Sequence, residues 1–404
     1  MATQKTTSQN VGSYVFESTP PQTMNVSSNV QISAVTTLKD LWVFFRVPWT
    51  IYKDNEYWVP PFWKNFKAFF KSDNHFWSHS ESQLFIAYKD NTPVGRIASI
   101  VDYNLPKDDG KKVGYFGFFE CIQDSAIASS LLNVAEDWLG SKGMHIIRGP
   151  VNGRIDLGSG FLIKGFDSVP YLLGSHSPNY YNDFAKEFGM RKSKDIVSYH
   201  IDLTQPIPQS VKETAEQCKK KGVIIRPFNR LHFKREMKMW FEMLLEIFSD
   251  HYGYTPSSYE EMKQTFGMKQ LRWIINPKIF LFAEINGKTV GFRFSLPDYN
   301  LIFQKLDGKM GVIGSLKLLW YARNITRGRF IVMGIKKKYR NLGIGTCMNY
   351  YTLLEMKRQG YVSTEYGWID EDNIASRKAG EKIGGRLYKK YRVYEKDIYI
   401  GKRL

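Results

Sequence analysis

Three cysteines in 404 residues set the first limit on this chain. Cys121, Cys218 and Cys347 are far apart and odd in number, which argues against a disulfide framework or a zinc site and for a reducing cytoplasm. The seven histidines are scattered, and His75 and His79, four apart, have no acidic ligand pattern beside them, so no metal is expected. No apolar run reaches the roughly 18 residues that a membrane-spanning helix needs. Met1 to Lys5 lacks the apolar core of a signal peptide. No helix-turn-helix, zinc or RNP pattern accompanies the basic residues, so nucleic acid is not an expected partner. Residues 1–35 are rich in Ser, Thr, Gln and Asn, contain Pro20-Pro21 and have little to bury; they read as a disordered tail.

What the chain does have is an asymmetry of charge. Residues 1–205 hold 20 Lys and Arg against 20 Asp and Glu, and residues 206–404 hold 37 against 19, so the whole net charge of +18 sits in the second half. A field of that sign favours a polyphosphate substrate or an anionic membrane surface. A length of 404 residues with 43% hydrophobic and 24% charged content suits two globular domains, expected at 36–205 and 206–404.

One pattern occurs twice. Leu84–Tyr88, a polar turn and Val94–Val101 read as a β-hairpin; Ile279–Ile285, Asn286-Gly287-Lys288 and Thr289–Ser295 read as another. In each half a strand, a helix and a second strand follow, then an Asn-initiated helix that closes at a glycine: Asn179 to Gly189, and Asn373 to Gly384. Between Trp42 and Trp77 aromatic residues are dense, as suits either a core-covering helical hairpin or a surface for acyl chains or a bilayer. The segment Gly308–Arg329 reads as an insertion whose apolar part, Ile313–Tyr321, forms a helical lid or a membrane-contacting element. The glycine-rich run Arg148–Gly160 reads as an irregular loop lining a cleft or a phosphate cradle without its helix.

The most informative stretch follows the apolar strand Arg329–Gly334. Ile335-Lys336-Lys337-Lys338-Tyr339-Arg340-Asn341-Leu342-Gly343-Ile344-Gly345 leads into a helical pattern from Thr346 to Gln359. A strand that ends in an Arg- and Gly-rich turn and restarts as a helix offers free backbone N–H groups at a positive helix end, a geometry that holds a pyrophosphate. Neither the dinucleotide fingerprint nor the Walker loop occurs at this turn. A plain strand–turn–helix connection is the structural alternative. The corresponding turn of the first half, Phe118–Asp124, has neither the glycines nor the arginine and is acidic.

Arg340-x-x-Gly343-x-Gly345 resembles the acyl-CoA loop of the GNAT superfamily of N-acyltransferases, and Asn373, 33 residues beyond Arg340, resembles the Asn that binds the pantetheine arm or caps the next helix. Residues 38–404 further resemble a bacterial family of double GNAT-like proteins, through Trp58–Pro61, Gly149–Asn152 and Lys389–Glu395. Plausible kin include bacterial ceramide-forming acyltransferases. The resemblance implies an α+β fold of two tandem GNAT-like domains, each a mixed, mostly antiparallel sheet flanked by helices, with a first copy that has lost CoA binding. It implies an acetyl-CoA or other acyl-CoA substrate held by Gly334, Ile335, Lys337, Arg340, Asn341, Leu342, Gly343, Ile344, Gly345, Thr346, Asn373 and Ser376. The activity implied is transfer of an acyl group, acetyl or longer, to an amine. N–H groups near Gly334 and Ile335 would polarise the thioester carbonyl. Base candidates are Glu284 and Glu365, with Asp370 and Glu371 behind them; an exposed-face Glu is the structural alternative for the first pair. Where many relatives carry an acid Tyr this chain has Gly380, which leaves Tyr388 or Tyr391, or water, to protonate the thiolate. The alternatives are a membrane-associated long-chain lipid N-acyltransferase, peripheral at the inner membrane face, and a non-catalytic CoA- or lipid-binding module. The acceptor, small molecule or lipid, and the oligomeric state are left open.

Overall fold

The computed structural model describes residues 14–15, 24–27, 29–155, 158–248, 258–265 and 267–399. Its first half contributes strands β1 (Met24–Ser27), β2 (Val30–Ala34), β3 (Ser80–Lys89), β4 (Thr92–Asp102), β5 (Val113–Cys121), β6 (Ile146–Gly149), β7 (Phe161–Lys164) and β8 (Arg191–Asp202). The second half contributes β9 (Ile224–Pro227), β10 (Leu281–Ile285), β11 (Lys288–Pro297), β12 (Arg327–Ile335), β13 (Ser363–Asp370) and β14 (Arg386–Asp397). The helices of the first half are α1 (Leu38–Ile51), α2 (Trp63–Phe69), α3 (Ser125–Ser141) and α4 (Tyr181–Glu187). Those of the second are α5 (Gln209–Lys220), α6 (Phe233–Phe248), α7 (Tyr259–Thr265), α8 (Met268–Ile274), α9 (Asn300–Leu306), α10 (Val312–Ala322), α11 (Ile344–Arg358) and α12 (Ile374–Lys382).

The two expected hairpins form with the same turn chemistry. Asp90-Asn91 (φ 50° and 60°) joins β3 to β4, and Asn286-Gly287 (φ 50° and 71°) joins β10 to β11. Two successive positive φ angles match the right-handed twist of the flanking strands. Each half then adds one parallel pair, β5 with β6 and β12 with β13, bridged by α3 and α11 respectively.

The fourteen strands among the described residues join one sheet in the order β1-β2-β3-β4-β5-β6-β14-β8-β13-β12-β11-β10-β9, with β7 paired to β14. The order shows an exchange. β8, from the first half, lies against β13, and β14, from the second half, lies against β6; the two pair with each other at the centre. A chain boundary near residue 205 therefore does not separate two closed sheets. The described residues of the expected tail, 1–35, are paired: Tyr14 bridges to Lys71, residues 24–27 and 30–34 form β1 and β2, and β2 hydrogen-bonds along β3 from Val30–Lys89 to Ala34–Phe85. An edge strand recovers its backbone hydrogen bonds by pairing, which polar composition alone does not reveal.

Alternation along the strands sorts the second-half core into two faces. Phe280, Phe282, Phe292 and Phe294 pack with Trp240 and Phe241 of α6 on one face, and Ala283 and Val290 pack with Ile344, Cys347 and Met348 of α11 on the other. The aromatic segment of the first half is mainly core: Phe44, Phe45, Phe70 and Phe76 are buried, and α1 starts at a Thr37–Asp40 capping box. It also ties the halves together, since the Trp49 indole donates to Asp307 at 3.1 Å and the Gln304 amide donates to the Glu56 and Trp58 carbonyls.

Candidate active site

β12 and β13 run as partners over only four registered pairs, Arg327–Ser363 to Phe330–Tyr366, and then part. β12 continues to Ile335 with β11 on its other side, after a bulge at Ile331. Among the described residues no strand takes up the edge of β12 from Ile331 to Ile335. An extended amide-bearing chain laid there would gain the backbone hydrogen bonds that β13 stops supplying. At the end of that edge the turn is built from a short helical turn at Lys337–Tyr339, then Asn341 at φ 72° and Gly343 at φ 82°. The first bond inside α11 runs from the Cys347 N–H to the Gly343 carbonyl, and Gly343 brings no side-chain cap. The amides of Ile344, Gly345 and Thr346 are the orphan donors of a 15-residue helix.

Positive charge surrounds this turn. From Gly308 to Leu354 the chain carries nine Lys and Arg and not one Asp or Glu. Lys337, Lys338 and Arg340 are exposed, and the Arg340 Nε folds back to donate to the Ile335 carbonyl at 3.2 Å. Leu342 and Ile344 pack into the core beneath α11. Gly334 is a packing glycine, for a Cβ there would lie 2.6 Å from the Phe292 ring. Asn373 caps α12, its Oδ1 accepting from the Ser376 N–H at 3.0 Å, which is one of the two roles its amide suits.

Where the strands part, consecutive residues of β13 carry different chemistry to the two faces of the sheet. Glu365, buried, forms an ion pair with the Arg329 Nε at 3.3 Å. Tyr388 belongs to the same cluster: its ring is 5.6 Å from that of His200, which stands opposite Glu365, and 6.0 Å from that of Tyr171. Burial is the first cause that raises the Tyr388 pKa, and the charge of Glu365 adds to it, so the phenol stays protonated. Arg327 pairs with Asp298 at 2.9 Å and lies 3.9 Å from the Tyr171 ring centre, closing the cluster. The Lys389 ammonium is buried beside it and donates to the Gly165 carbonyl and to Ser168; burial lowers its pKa to about 8.

On the opposite face Tyr366 meets Arg293. This guanidinium is buried, donates to the Asn349 amide oxygen at 2.7 Å and lies 4.0 Å and 4.8 Å from the Phe330 and Tyr366 ring centres. Among the described residues no carboxylate pairs with it, and burial lowers its pKa to about 10. A buried cation held by an amide and two ring faces is costly unless it meets negative charge. Gly380 lies against the Tyr366 ring, because a Cβ there would come within 2.9 Å of it. The sequence pattern drew attention to the missing Tyr at Gly380, and the ring that fills the space comes from β13.

Three expectations fall elsewhere. Glu284 is not at the parting strands: it sits on β10, beside β9, where its carboxylate accepts from Arg226 Nε at 2.6 Å. Arg226 also holds Glu236 of α6, and these residues line a cavity of about 530 Å³ two strands away from β12. Asp370 and Glu371 form ion pairs with Lys194 and Lys192. The glycine-rich run Arg148–Gly160, whose Asp156 and Leu157 lie outside the described residues, does touch the second half, with Arg148 paired to Glu395 at 2.6 Å and Arg154 to Glu261 at 3.0 Å, and a strand, β7, follows it where a phosphate cradle would need a helix. The run fills the parting of β5 and β6: the Val151 N–H donates to the Phe116 carbonyl at 2.8 Å, and the Asn152 Oδ1 accepts from the Phe118 N–H at 2.6 Å. The acidic turn beyond is closed as well, with Glu120 bound by Tyr181 and Asp124 capping α3.

No family model matches the sequence. A bacterial ceramide synthase from Caulobacter vibrioides is 30% identical over 382 residues, 93% of this chain and 99% of that protein. The protein YghO of Escherichia coli is 30% identical over 367 residues, 89% and 93% of the two chains. Among solved structures, a tandem GNAT protein from the clavulanic acid biosynthesis pathway superposes with a TM-score of 0.53 at 10% identity, over 93% of this chain and all of that one. A GCN5-related glucosamine N-acetyltransferase region of a fungal multi-domain protein gives a TM-score of 0.55 at 12% identity, over 92% of this chain and 38% of that one. These two likenesses establish the fold, a tandem GNAT arrangement.

Proposed function

This chain belongs to the family of the bacterial ceramide synthase and is an acyl-CoA N-acyltransferase, and we propose that it joins a long acyl chain to the amine of a lipid, making a ceramide-type amide. The observation that carries the donor half of this reading is the unpaired edge Ile331–Ile335 running into the turn at Arg340–Gly343. CoA would lay its pantetheine amides along that edge and its pyrophosphate on the amides of Ile344, Gly345 and Thr346, with Arg340 and Lys337 alongside.

The acceptor amine approaches from the Glu365 face. Its nitrogen forms a bond to the thioester carbon, its proton passes to the Glu365 carboxylate directly or through one water, and the carbon–sulfur bond breaks. Arg329, paired with that carboxylate at 3.3 Å, holds it in place. The thiolate leaves beside Arg293, whose uncompensated charge balances it, and takes a proton from the Tyr366 hydroxyl or from water. Tyr388 serves the acceptor side.

The test follows release of free CoA thiol and product mass with palmitoyl-CoA, acetyl-CoA and a long-chain base. Amine-dependent release with palmitoyl-CoA and formation of an N-acyl amide are expected. Release with acetyl-CoA alone, on small amines, rejects the lipid reading. Glu365→Gln should lower kcat by about 100-fold or more with little change in CoA affinity, because the carboxamide cannot take the proton. A variant with unchanged kcat removes Glu365 from the mechanism.

A further inference from the structure

α10 is the most exposed apolar element among the described residues. Val312, Ile313, Leu316, Leu319 and Trp320 are 80, 71, 62, 68 and 61% exposed, and only Gly314 is buried. At 100° per residue these five positions share an arc of about 120°. The opposite side, Leu318, Tyr321 and Ala322, packs on the α6 core. The apolar arc is therefore a built surface and not a helix that has failed to dock. Its edges are cationic: Lys317 on the helix, Arg323 just past its end and Lys309 before it are exposed, and Lys309 has Asp307 at 3.4 Å. No acidic residue occurs between Asp307 and Glu355.

We propose that α10 is an interfacial helix that seats the enzyme on an anionic phospholipid surface. Eleven residues span about 16 Å, too short to cross a hydrocarbon core of about 30 Å, and no helix among the described residues is long and apolar enough to do so. An apolar face with an aromatic residue at one end and lysine and arginine at its edges suits the headgroup boundary, with the cations meeting lipid phosphates. A protein partner of the same face would need carboxylates to meet those cations. The place in the fold gives the seat a purpose. In the chain α10 lies between α9, which begins two residues after Asp298, and β12, which carries Arg327 and Arg329, so the connections on both its sides lead to the polar cluster around Glu365. An insoluble amine could then reach the cluster from the bilayer. This last step rests on the lipid-acceptor reading; the docking itself does not.

Co-sedimentation of the full chain with vesicles of phosphatidylcholine, with and without phosphatidylglycerol, tests it. Binding is expected only with the anionic lipid, weakened by raising salt from about 0.1 to about 1 M. The double variant Leu316→Glu, Leu319→Glu should bind at least about 100-fold more weakly. Lys317→Glu alone should cost about fivefold or more. Both variants change exposed side chains, and unchanged melting and CoA titration would show that they fold. Equal vesicle binding by wild type and double variant overturns the proposal, as does no vesicle binding by the wild type. A dimer that the double variant converts to monomer overturns it in favour of a second copy of this chain. A protein that binds vesicles through α10 but acylates only soluble amines keeps the docking and rejects the lipid acceptor.

Discussion

β5 and β12 both leave their parallel partners after a few pairs, at Tyr115–Arg148 and at Phe330–Tyr366, yet the two partings end in opposite ways. At β5 the chain itself fills the parting. Gly117 and Gly149 let the backbones approach so closely that a Cβ at either would lie 2.2 Å from a carbonyl oxygen of the opposing segment. Asn152 then satisfies the Phe118 amide. At β12 nothing comparable folds back among the described residues, and the turn beyond is cationic where its counterpart carries Glu120 and Asp124. The backbone hydrogen bonds left open where β5 parts from β6 are satisfied by a plug of the protein's own chain. One scaffold leaves an open strand edge in one half, the donor site we propose, and a filled parting in the other.

The largest expected effect comes from dislodging that plug. Gly117→Ala places a methyl group against the Val151 carbonyl and should lower stability by about 3 kcal/mol in denaturant melts. The folded fraction should still bind one CoA per chain by calorimetry; a second equivalent would mean that the plug alone had been masking a donor site.

Gly343→Asp tests the other side of the contrast. It puts an anion at the turn and a side chain where φ is 82°, and should weaken CoA binding by about 100-fold, or about 2.7 kcal/mol. Unchanged affinity by calorimetry would refute the donor site at β12.

Acid should single out the plugged half. His176 is buried with its Nε2 accepting from the Asn55 amide at 3.1 Å, and burial first, then Lys389, lowers its pKa to about 4. A depressed folded-state pKa gives stability that is present above about 6.5, the unfolded value, and is lost as pH falls towards 4. Between pH 7.5 and pH 5 this group should remove about 2 kcal/mol, and His176→Gln should flatten that slope in melts followed against pH.

Smaller effects separate the two turns further. Arg340→Ala should cost CoA about tenfold in affinity, about 1.4 kcal/mol. Asp124→Ala, at the corresponding turn, should lose the cap of α3 and about 1 kcal/mol of stability while leaving CoA affinity unaltered. A change in CoA affinity there would blur the distinction between the halves.

Local chemistry wrote several elements into the sequence. The two hairpins follow from turn residues that accept positive φ, the Lys337–Gly345 turn follows from its spacing of arginine and glycine, and α12 follows from Asn373 as its cap. The duplication was visible because each half repeats the same order of short-range signals. Glu365 was legible as a candidate, but neither its ion pair with Arg329 nor the capture of Glu284 by Arg226 could be read, since each partner lies far away in sequence. Asn373 carried two readings because an amide serves equally as a cap and as a ligand to a pantetheine amide.

The sequence by itself determined which segments become strands and helices and which half holds the cations, because propensity, alternation and charge act over a few residues. Tertiary structure alone decided that β8 and β14 change places, that β1 and β2 extend the sheet into the expected tail, that Arg148–Gly160 plugs one parting, and that Arg293 meets Tyr366. Each of these depends on which unpaired edge, ring or charge a distant segment finds when the chain closes. Strand pairing and ion pairing satisfy whatever backbone and charge remain unmet, and that remainder exists only once the rest of the molecule is in place.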